Sequence, residues 1–538
     1  MKFRDIMSFI TNLWGSFRSG FGYATPYKTE NDFPTTADEC WDPRLRSTDG
    51  SVIGAKPFIE ARIKSLIERD GFLSGAVESH VNAVVGNGLK LNYQPDWEAL
   101  GQSQEWADDF QQKIELRWKR ATQGRKLDAG RKHNWPALQA QAYRSFLISG
   151  EITAVPKFKR SGDQRTTIML IDPNRIKNPF QATNKEDVRA GIKLSDDGEP
   201  LVYYIYNKNP LDPQRGRQRG ADEFEAVGAY NRRGRKRVIH VFDPVGTEQT
   251  RGISMFAPVV ETIKRQHDLS DAMLKAAIYQ TLTAAVIKSD LNYEQAMMVA
   301  GSAGASTPSS SFMTALQQYM GAHASFYENQ RIKVGDLQLH HLMPNEDLEL
   351  KSAGAVSSEY ESFAKTLNRE AARGVGLSLE SYTGDWAELS FSGGQLSGGY
   401  MDRGHFGRRE RVMSAFCQDV FELWLEELFI KEPGLLPSSV DFYSNRDALS
   451  AAIWMGPPPV LADPVKTAEA AETRIENMIT TRANEFAAIG LDFDDAVKQM
   501  EREQTKIDGA GLRNPKLEET VLKQEELKKG DVQGEKKS

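Results

Sequence analysis

The chain has 538 residues, with 68 Lys and Arg against 74 Asp and Glu for a formal charge of −6, and 40% hydrophobic and 26% charged residues. That length exceeds what one hydrophobic core supports, so several domains are expected in a soluble, ordinary globular composition. The acidic balance excludes a protein that grips nucleic acid through bulk positive charge. No apolar run approaches the ~20 residues that span a bilayer, so no membrane is expected among its partners.

Residues 1–54 read as an N-terminal arm. Its start, MKFRDIMSFITNLWGSFRSGFGY, interrupts its apolar residues with Arg4, Asp5, Asn12 and Arg18, unlike the continuous apolar core of a signal peptide. An amphipathic arm for a partner and a terminal helix packing on its own domain both fit that pattern. Residues 24–56 are rich in Pro, Thr, Asp and Gly and read as extended, with Pro57 near a helix start. Ile59, Ile63, Leu66 and Ile67 then recur at helical spacing, and a second helix after Gly71 carries Val77, Val81 and Val84, with Gly86 and Gly88 as its C-cap. A further helix is expected over 135–148, with Trp135, Leu138, Ala142 and Phe146 on one face.

From Glu151 the apolar period changes to two. EITAVPKFK, TTIMLID, AGIKLSDDGEPLVYYIYNK and RVIHVFD read as strands, with Asp197-Gly198 as a hairpin turn. Within this block lies a basic insertion containing Arg215, Arg217, Arg219, Arg232, Arg233, Arg235, Lys236 and Arg237. It reads either as a contact for phosphates or an acidic partner, or as a solvated hairpin.

A long helix is expected from about 256, with Ser254 as N-cap and Pro258 in the first turn. Its apolar residues form no single stripe, as suits a helix with neighbours on two sides. Residues 284–291 read as a strand, 300–311 as low-complexity loop, and RIKVGDLQLHHLMPNEDLEL as short strands with a Pro344-Asn345 turn. Val356, Tyr360, Phe363, Leu367 and Ala371 mark another helix.

Residues 374–399, GVGLSLESYTGDWAELSFSGGQLSGG, read as a long glycine-rich loop carrying Tyr382, Trp386 and Phe391. A long helix with Val412, Phe416, Val420, Leu423 and Leu428 follows. After a break at Pro433-Gly434 and a PPP at 457–459, a small helical unit covers about 464–503, and the last 30 residues read as a disordered tail.

The search for chemistry returns little. No GxxxxGK[ST], HExxH, GxSxG or CxxC pattern occurs. Cys40 and Cys417 read as unpaired thiols of a reducing compartment, with a lone disulfide as the alternative. His340 and His341 are adjacent, and neighbours on a strand point to opposite faces, which makes them a poor metal pair. Glu380, Asp385 and Glu388 cluster within 374–399, but catalytic or Mg²⁺-binding carboxylates need rigid support that a glycine-rich setting does not offer. No cofactor or metal is expected.

Several segments, taken in order, resemble the lambda-type family of tailed-bacteriophage portal proteins, the head-tail connectors. IHVFDPVGTEQTRGISMF at 239–256 is similar to that family's I-H-V-F-x-P…Q-T-R-G segment, and HLMPNEDLEL at 341–350 to its H-L-M-P-G-D-x-L. GVGLSLESYTGDWAELSFSGGQLSG is similar to its G-x-G-V-S-Y-E-x-L…Y-A-x-M-S-Y-S-x-x-R, with Gln395 where arginine is usual. VNAVVGNGLKL and TTRANEFAAIGLDFDDAVKQMERE also match, so the resemblance covers about residues 55–505.

The resemblance implies an α+β, mainly helical portal fold assembling into a ring, expected to be a dodecamer. Its wing would be the α/β part at 55–255, with 400–455 as a long helix returning to it. Stem helices would occupy 256–283 and 351–374, a clip 284–350, a tunnel loop 375–399 and a crown 460–505, with a tail at 506–538. In that frame the chain is not an enzyme. It would conduct double-stranded DNA at one capsid vertex of the virion for packaging, retention and ejection, after assembly in the host cytoplasm. Its partners would be terminase, a head-completion or adaptor protein at the clip, and the major capsid protein at the wing. Glu380, Tyr382, Asp385, Trp386, Glu388, Phe391 and Gln395 would line the channel. Lys333, His340, His341 and Pro344 would meet the adaptor, and Arg215, Arg217, Arg219, Arg232, Arg233 and Arg235 another partner. The rival reading is a metal-dependent nuclease using the loop carboxylates.

Overall fold

A computed structural model describes residues 46–159, 164–179, 187–209, 224–281, 285–289, 321, 325, 331–334, 337–340, 346–350, 358–387, 389–459, 464–491 and 493–510. The chain divides into two compact units, Met1–Val260 with Ala372–Ser538, and Glu261–Ala371.

In the first unit, helix α1 (Thr48–Arg69) starts at Ser47, whose hydroxyl accepts from the Gly50 amide at 3.2 Å. Pro57 therefore lies inside the helix, not at its start, and residues 48–56 are helical rather than extended. The proline removes one backbone bond, but Val52, Ala55, Ile59 and Ile63 on the same helix are all buried. Asp70 then caps α2 (Gly71–Val84), and Gly86 and Gly88, both at positive φ, end it as expected. Strand β1 (Lys90–Tyr93) follows.

Helix α3 (Gln104–Thr122) is an element the sequence patterns above do not pick out, because charged residues dilute its apolar positions. It buries Ala107, Phe110, Ile114 and Trp118 at spacings of three and four. Helix α4 (Trp135–Ser149) buries Trp135, Leu138, Ala142 and Phe146 as expected and stops at Gly150, which adopts a left-handed φ of 81°.

The strand block forms two antiparallel sheets. One has the order β3 (Thr166–Leu170), β2 (Glu151–Phe158), β8 (Ile239–Phe242), and the other β4 (Val188–Arg189), β5 (Ile192–Leu194), β6 (Pro200–Tyr206), β7 (Phe224–Gly228). A shared apolar cluster that includes Val155, Ile192, Tyr203, Ile205 and Val227 joins them.

In the second unit, α5 (Val260–Thr281) enters through a 3₁₀ turn at Ala257–Val259, so Ser254 does not cap it; the Ser254 hydroxyl instead accepts from the Phe256 amide. Strand β9 (Ala285–Ser289) pairs with β12 (Glu346–Leu350), and β10 (Arg331–Val334) with β11 (Leu337–His340), all antiparallel. Helix α6 (Ser358–Val375) runs antiparallel to α5, since Thr262 bonds Glu370 while Gln266 bonds Asn368.

Back in the first unit come α7 (Leu379–Thr383), α8 (Phe391–Arg408), a π-helical turn at Arg409–Ser414 and α9 (Ala415–Lys431). They are followed by α10 (Arg446–Ser450), β13 (Ala452–Met455), α11 (Pro464–Glu476), α12 (Arg482–Ala488) and α13 (Phe493–Gly509). β13 pairs with β1 across most of the chain length. Helix α9 is buried nearly all round and sits at the core, its buried Asp419, Glu426 and Glu427 each paired with a cation. Trp118 meets Phe421, Trp424 and Trp454 edge-on at centroid distances of 5.4, 5.1 and 6.0 Å. Cys417, on α9, is a buried free thiol; Cys40 lies outside the described residues.

At the junction of α4, β2 and β8 lies a buried charge network centred on Glu151. Glu151 accepts from Arg251 Nε (3.1 Å), the Gly252 amide (2.9 Å) and His240 Nε2 (3.1 Å), and Lys56 Nζ stands 3.4 Å away. Arg251 also donates to the carbonyls of Pro173, Ile176 and Ala190 at 2.8–2.9 Å. Burial would push the Glu151 carboxyl up, but Arg251 and Lys56 outweigh it and hold it well below the usual carboxylate range.

Removing one partner of such a group leaves a buried charge uncompensated. Arg251→Met should therefore cost about 3–5 kcal/mol, read as a lower urea midpoint. Arg144→Ala, which breaks the exposed pair with Glu78, should stay within about 1 kcal/mol of the parent.

Candidate functional site

The stretch 374–399, expected as one loop, is mostly helical. After α6, Gly376 at φ 79° turns the chain, and Ser378 caps α7 by accepting from the Ser381 amide at 3.1 Å. Gly384, at φ 74°, closes α7, and Ser390 caps α8 by accepting from the Gly393 amide at 3.2 Å. Among the described residues of this stretch, 376–378 between α6 and α7 and the link between α7 and α8 are non-helical. Two serine caps, each set three residues before the amide it satisfies, are the signal that a glycine count overlooks.

This geometry separates the expected channel residues. Tyr382 is 4% exposed and stacks on Phe72 with centroids 5.5 Å apart, so it anchors α7 to α2 and is not a projecting ring. Trp386 is 57% exposed at the centre of the link. Asp385 is exposed and accepts from the Ala387 amide at 3.1 Å; Glu380 is half-buried on α7; Gln395 is exposed on α8. Phe391 opens α8, and Glu388 lies outside the described residues. Among the described residues, no group of three or more His, Cys, Asp or Glu could hold a metal ion.

Helix α8 is built against its own propensity. Six of its residues are glycine (393, 394, 398, 399, 404 and 407), each costing about 1 kcal/mol relative to alanine in a helix interior. Its first half exposes Leu396 and Tyr400. Its second half is fixed by tertiary contacts. His405 meets His80 of α2 edge-on at 5.1 Å, and His80 Nε2 donates to the Val375 carbonyl at 2.8 Å. In the π turn, the Arg409 guanidinium donates to the carbonyls of Ala83, Val84 and Pro457 at 2.8–3.1 Å. It thereby satisfies the end of α2, and Gly456 lies so close that a Cβ there would fall 2.4 Å from Arg409 Nε.

The basic insertion divides in two. Arg215, Arg217 and Arg219 lie outside the described residues. Arg235 donates to Glu426 Oε2 at 2.7 Å and to Thr166 Oγ1 at 3.2 Å, and Lys236 pairs with Asp419. Arg233 lies over the Tyr443 ring at 5.4 Å. These three cations pin the 229–237 hairpin to α9 and the 441–446 turn, with Arg233 itself still exposed. Arg232 and Arg237 remain exposed. In the second unit, Lys333 faces Gln338 in register and His340 faces Arg331. His341 and Pro344 lie outside the described residues.

A second basic surface, absent from the sequence reading, lies between α3 and α4. Lys119, Arg120, Arg125, Lys126, Arg131 and Lys132 are all exposed there. Asp128, the one acid of that loop, turns inward and accepts from the amides of Gly130, Lys132 and His133 at 2.8–3.0 Å.

Known proteins resemble this chain over most of its length. Residues 35–397 match the family model described as phage portal protein, lambda family. Portal protein B of Escherichia phage lambda is 28% identical over 493 residues, 88% of each chain. The portal protein of Escherichia phage N15 is 28% identical over 494 residues, 88% of this chain and 89% of its own. Among solved structures, a chain from the neck of an empty GTA particle aligns at TM-score 0.43 and 12% identity over 80% of this chain and 93% of its own. One from the neck of the native GTA particle aligns at 0.38 and 12%, over 82% and 99%.

Two measurements check this geometry. Tyr382→Ala should destabilise by about 3–5 kcal/mol, whereas Trp386→Ala should change stability by about 0.5 kcal/mol or less. Separately, burial and the nearby arginines lower His80 to about 3 and His405 to about 4, from 6.5. As pH falls below 6.5 the unfolded chain takes up protons that the folded chain refuses, so stability is lost on acidification. The loss should approach about 2 kcal/mol per histidine between pH 6.5 and 5. His240, also lowered, adds in the same direction, while Glu151, held low in the folded chain, adds its own loss only as pH falls below about 4.5. His405→Phe should flatten the slope of unfolding midpoint against pH in that window.

Proposed function

The chain belongs to the lambda family of phage portal proteins, and on that premise we propose that roughly twelve copies close head-to-tail into a ring around a DNA channel. The family match over residues 35–397 carries this reading. As a portal protein it occupies a capsid vertex of the virion as head-tail connector. In the finer assignment, the wing takes 55–255 and 400–455, stem helices 256–283 and 351–374, the clip 284–350 and the crown 460–505. The clip would receive a head-completion or adaptor protein, with Lys333, His340, His341 and Pro344 at that contact. The wing would meet the major capsid protein, and a separate terminase would drive packaging in the host cytoplasm.

Electrostatics supports a conduit at 375–399. DNA binding strengthens with each phosphate neutralised by Lys or Arg, and residues 374–399 contain neither. A surface of that kind lets a duplex slide. Trp386, exposed on the link, and Leu396, exposed on α8, supply bulk without cations, whereas Tyr400 carries the Arg373 guanidinium over its ring at 5.1 Å. Because Tyr382 is anchored to Phe72, movement of this segment would be carried by the link and by the glycine-rich first half of α8.

Electron microscopy of the purified full-length chain should show rings with a central hole; a monodisperse monomer at all concentrations overturns the reading. Trp386→Ala should leave ring assembly intact and lower DNA packaging or retention. Loss of the ring in that variant would make Trp386 an interface residue instead. The nuclease alternative predicts Mg²⁺- or Mn²⁺-dependent cleavage abolished by Asp385→Ala, and inertness of the parent protein with both ions removes it.

A further inference from the structure

We infer that the α3–α4 loop and the end of α3, residues 117–132, form a binding surface for the sugar–phosphate backbone of double-stranded DNA, separate from the cation-free stretch 374–399. The chain as a whole carries −6. Yet this short segment holds Arg117, Lys119, Arg120, Arg125, Lys126, Arg131 and Lys132 against Asp128 alone. Arg117 is paired with Glu432 at 2.8 Å. The other six side chains are exposed and have no ion-pair partner among the described residues.

The loop is held in shape without using those side chains. Backbone amides of 130, 132 and 133 converge on Asp128, and backbone hydrogen bonds tie Leu127 and Ala129 to Ile168 of β3 at 2.7 and 2.9 Å. Lys159 Nζ donates to the Ala129 carbonyl at 3.0 Å. Arg131 sits at φ 53°, a costly conformation for a side-chain-bearing residue that the Asp128 cradle enforces. The cations are thus presented on a fixed backbone, which lowers the ordering cost of binding. Arg120 and Lys126 also line an open cleft of about 270 Å³ with Arg117 and Lys431, whose acids Glu432 and Glu427 are already paired.

A phosphate backbone fits this surface better than a protein does. Protein interfaces centre on buried aromatic or aliphatic anchors, and between residues 117 and 133 no large apolar side chain is exposed. Leu116 and Phe158 stand singly at its edges, which is ordinary for a protein surface. Unpaired Lys and Arg on a rigid loop are what non-specific duplex binding requires. The choice of DNA among polyanions rests on the portal reading; the surface itself does not.

The test is fluorescence anisotropy of a labelled duplex of about 30 base pairs with the full-length protein, across a salt series. One variant combines Lys119→Gln, Arg120→Gln, Arg125→Gln and Lys126→Gln; a second combines Arg131→Asn and Lys132→Gln. The first should weaken binding on the order of tenfold or more, and its slope of log K against log salt should become shallower by up to roughly 3–4. The second should move both in the same direction by less, and the melting temperatures should match the parent. Unchanged affinity and slope in both variants overturn the inference. So does stronger competition by polyglutamate than by unlabelled duplex, which assigns an acidic protein, or loss of rings at constant duplex affinity, which assigns a second copy of the chain. Imaging the same preparations separates the two readings. Rings with unaltered binding leave the portal and remove this surface, while weakened variant binding without rings does the reverse.

Discussion

One buried carboxylate, Glu151, organises the first unit. It stands where α4 ends and β2 begins, and everything it bonds comes from elsewhere: Lys56 from α1, His240 from β8, Arg251 and Gly252 from the segment leading to α5. Arg251 extends the reach through three carbonyls at 173, 176 and 190. The Arg-Gly pair of the TRG motif follows from this. The arginine is the counter-ion, and a Cβ on Gly252 would fall 2.1 Å from the Gly150 carbonyl oxygen. Charges this deeply buried are costly unless every donor and acceptor is satisfied, and here the geometry leaves few alternatives to the observed packing.

The C-terminal half of that unit works by a comparable principle with less redundancy. Helix α9 is buried nearly all round, its Phe421 and Trp424 packed on Trp118 and its Phe421 also on Trp454, so its position is set by packing. Helix α8 enters the same path through a π turn, a distortion that recurs at functional sites. There the Arg409 guanidinium replaces the helical partners that the end of α2 lacks. Order therefore declines along α8 from the anchored His405 back to the solvent-facing Leu396. Of the segment offered as conduit lining, α7 is held through Tyr382, while the link and the first half of α8 expose Trp386 and Leu396, as a moving element requires.

Charge is distributed unevenly along the chain. Some cations of the basic insertion are internal fasteners, as Arg235 is to Glu426. Others, on the α3–α4 loop, are rigidly displayed and unpaired. The stretch 374–399 has none. Composition cannot separate these three cases, because a guanidinium facing a buried carboxylate and one facing water are the same letter.

The elements with a clean period were legible. Helix α4 with Trp135, Leu138, Ala142 and Phe146, the β5–β6 hairpin turning at Gly198, and the C-terminal helices all follow from spacing and turn chemistry. The family, too, was legible in ordered short motifs. Helix α3 was missed because charged residues mask its four buried positions, and Pro57 was misjudged because proline alone does not say which side of it the helix lies on. Residues 374–399 read as loop because glycine has the poorest helix propensity after proline, while the deciding contacts, Tyr382 on Phe72 and His405 on His80, come from hundreds of residues away. By itself the sequence determined periodicity, caps, family and the absence of cations from residues 374–399. The tertiary structure alone decided which charges are buried and paired and which glycines are helical, because both depend on neighbours that only folding brings within a few ångströms.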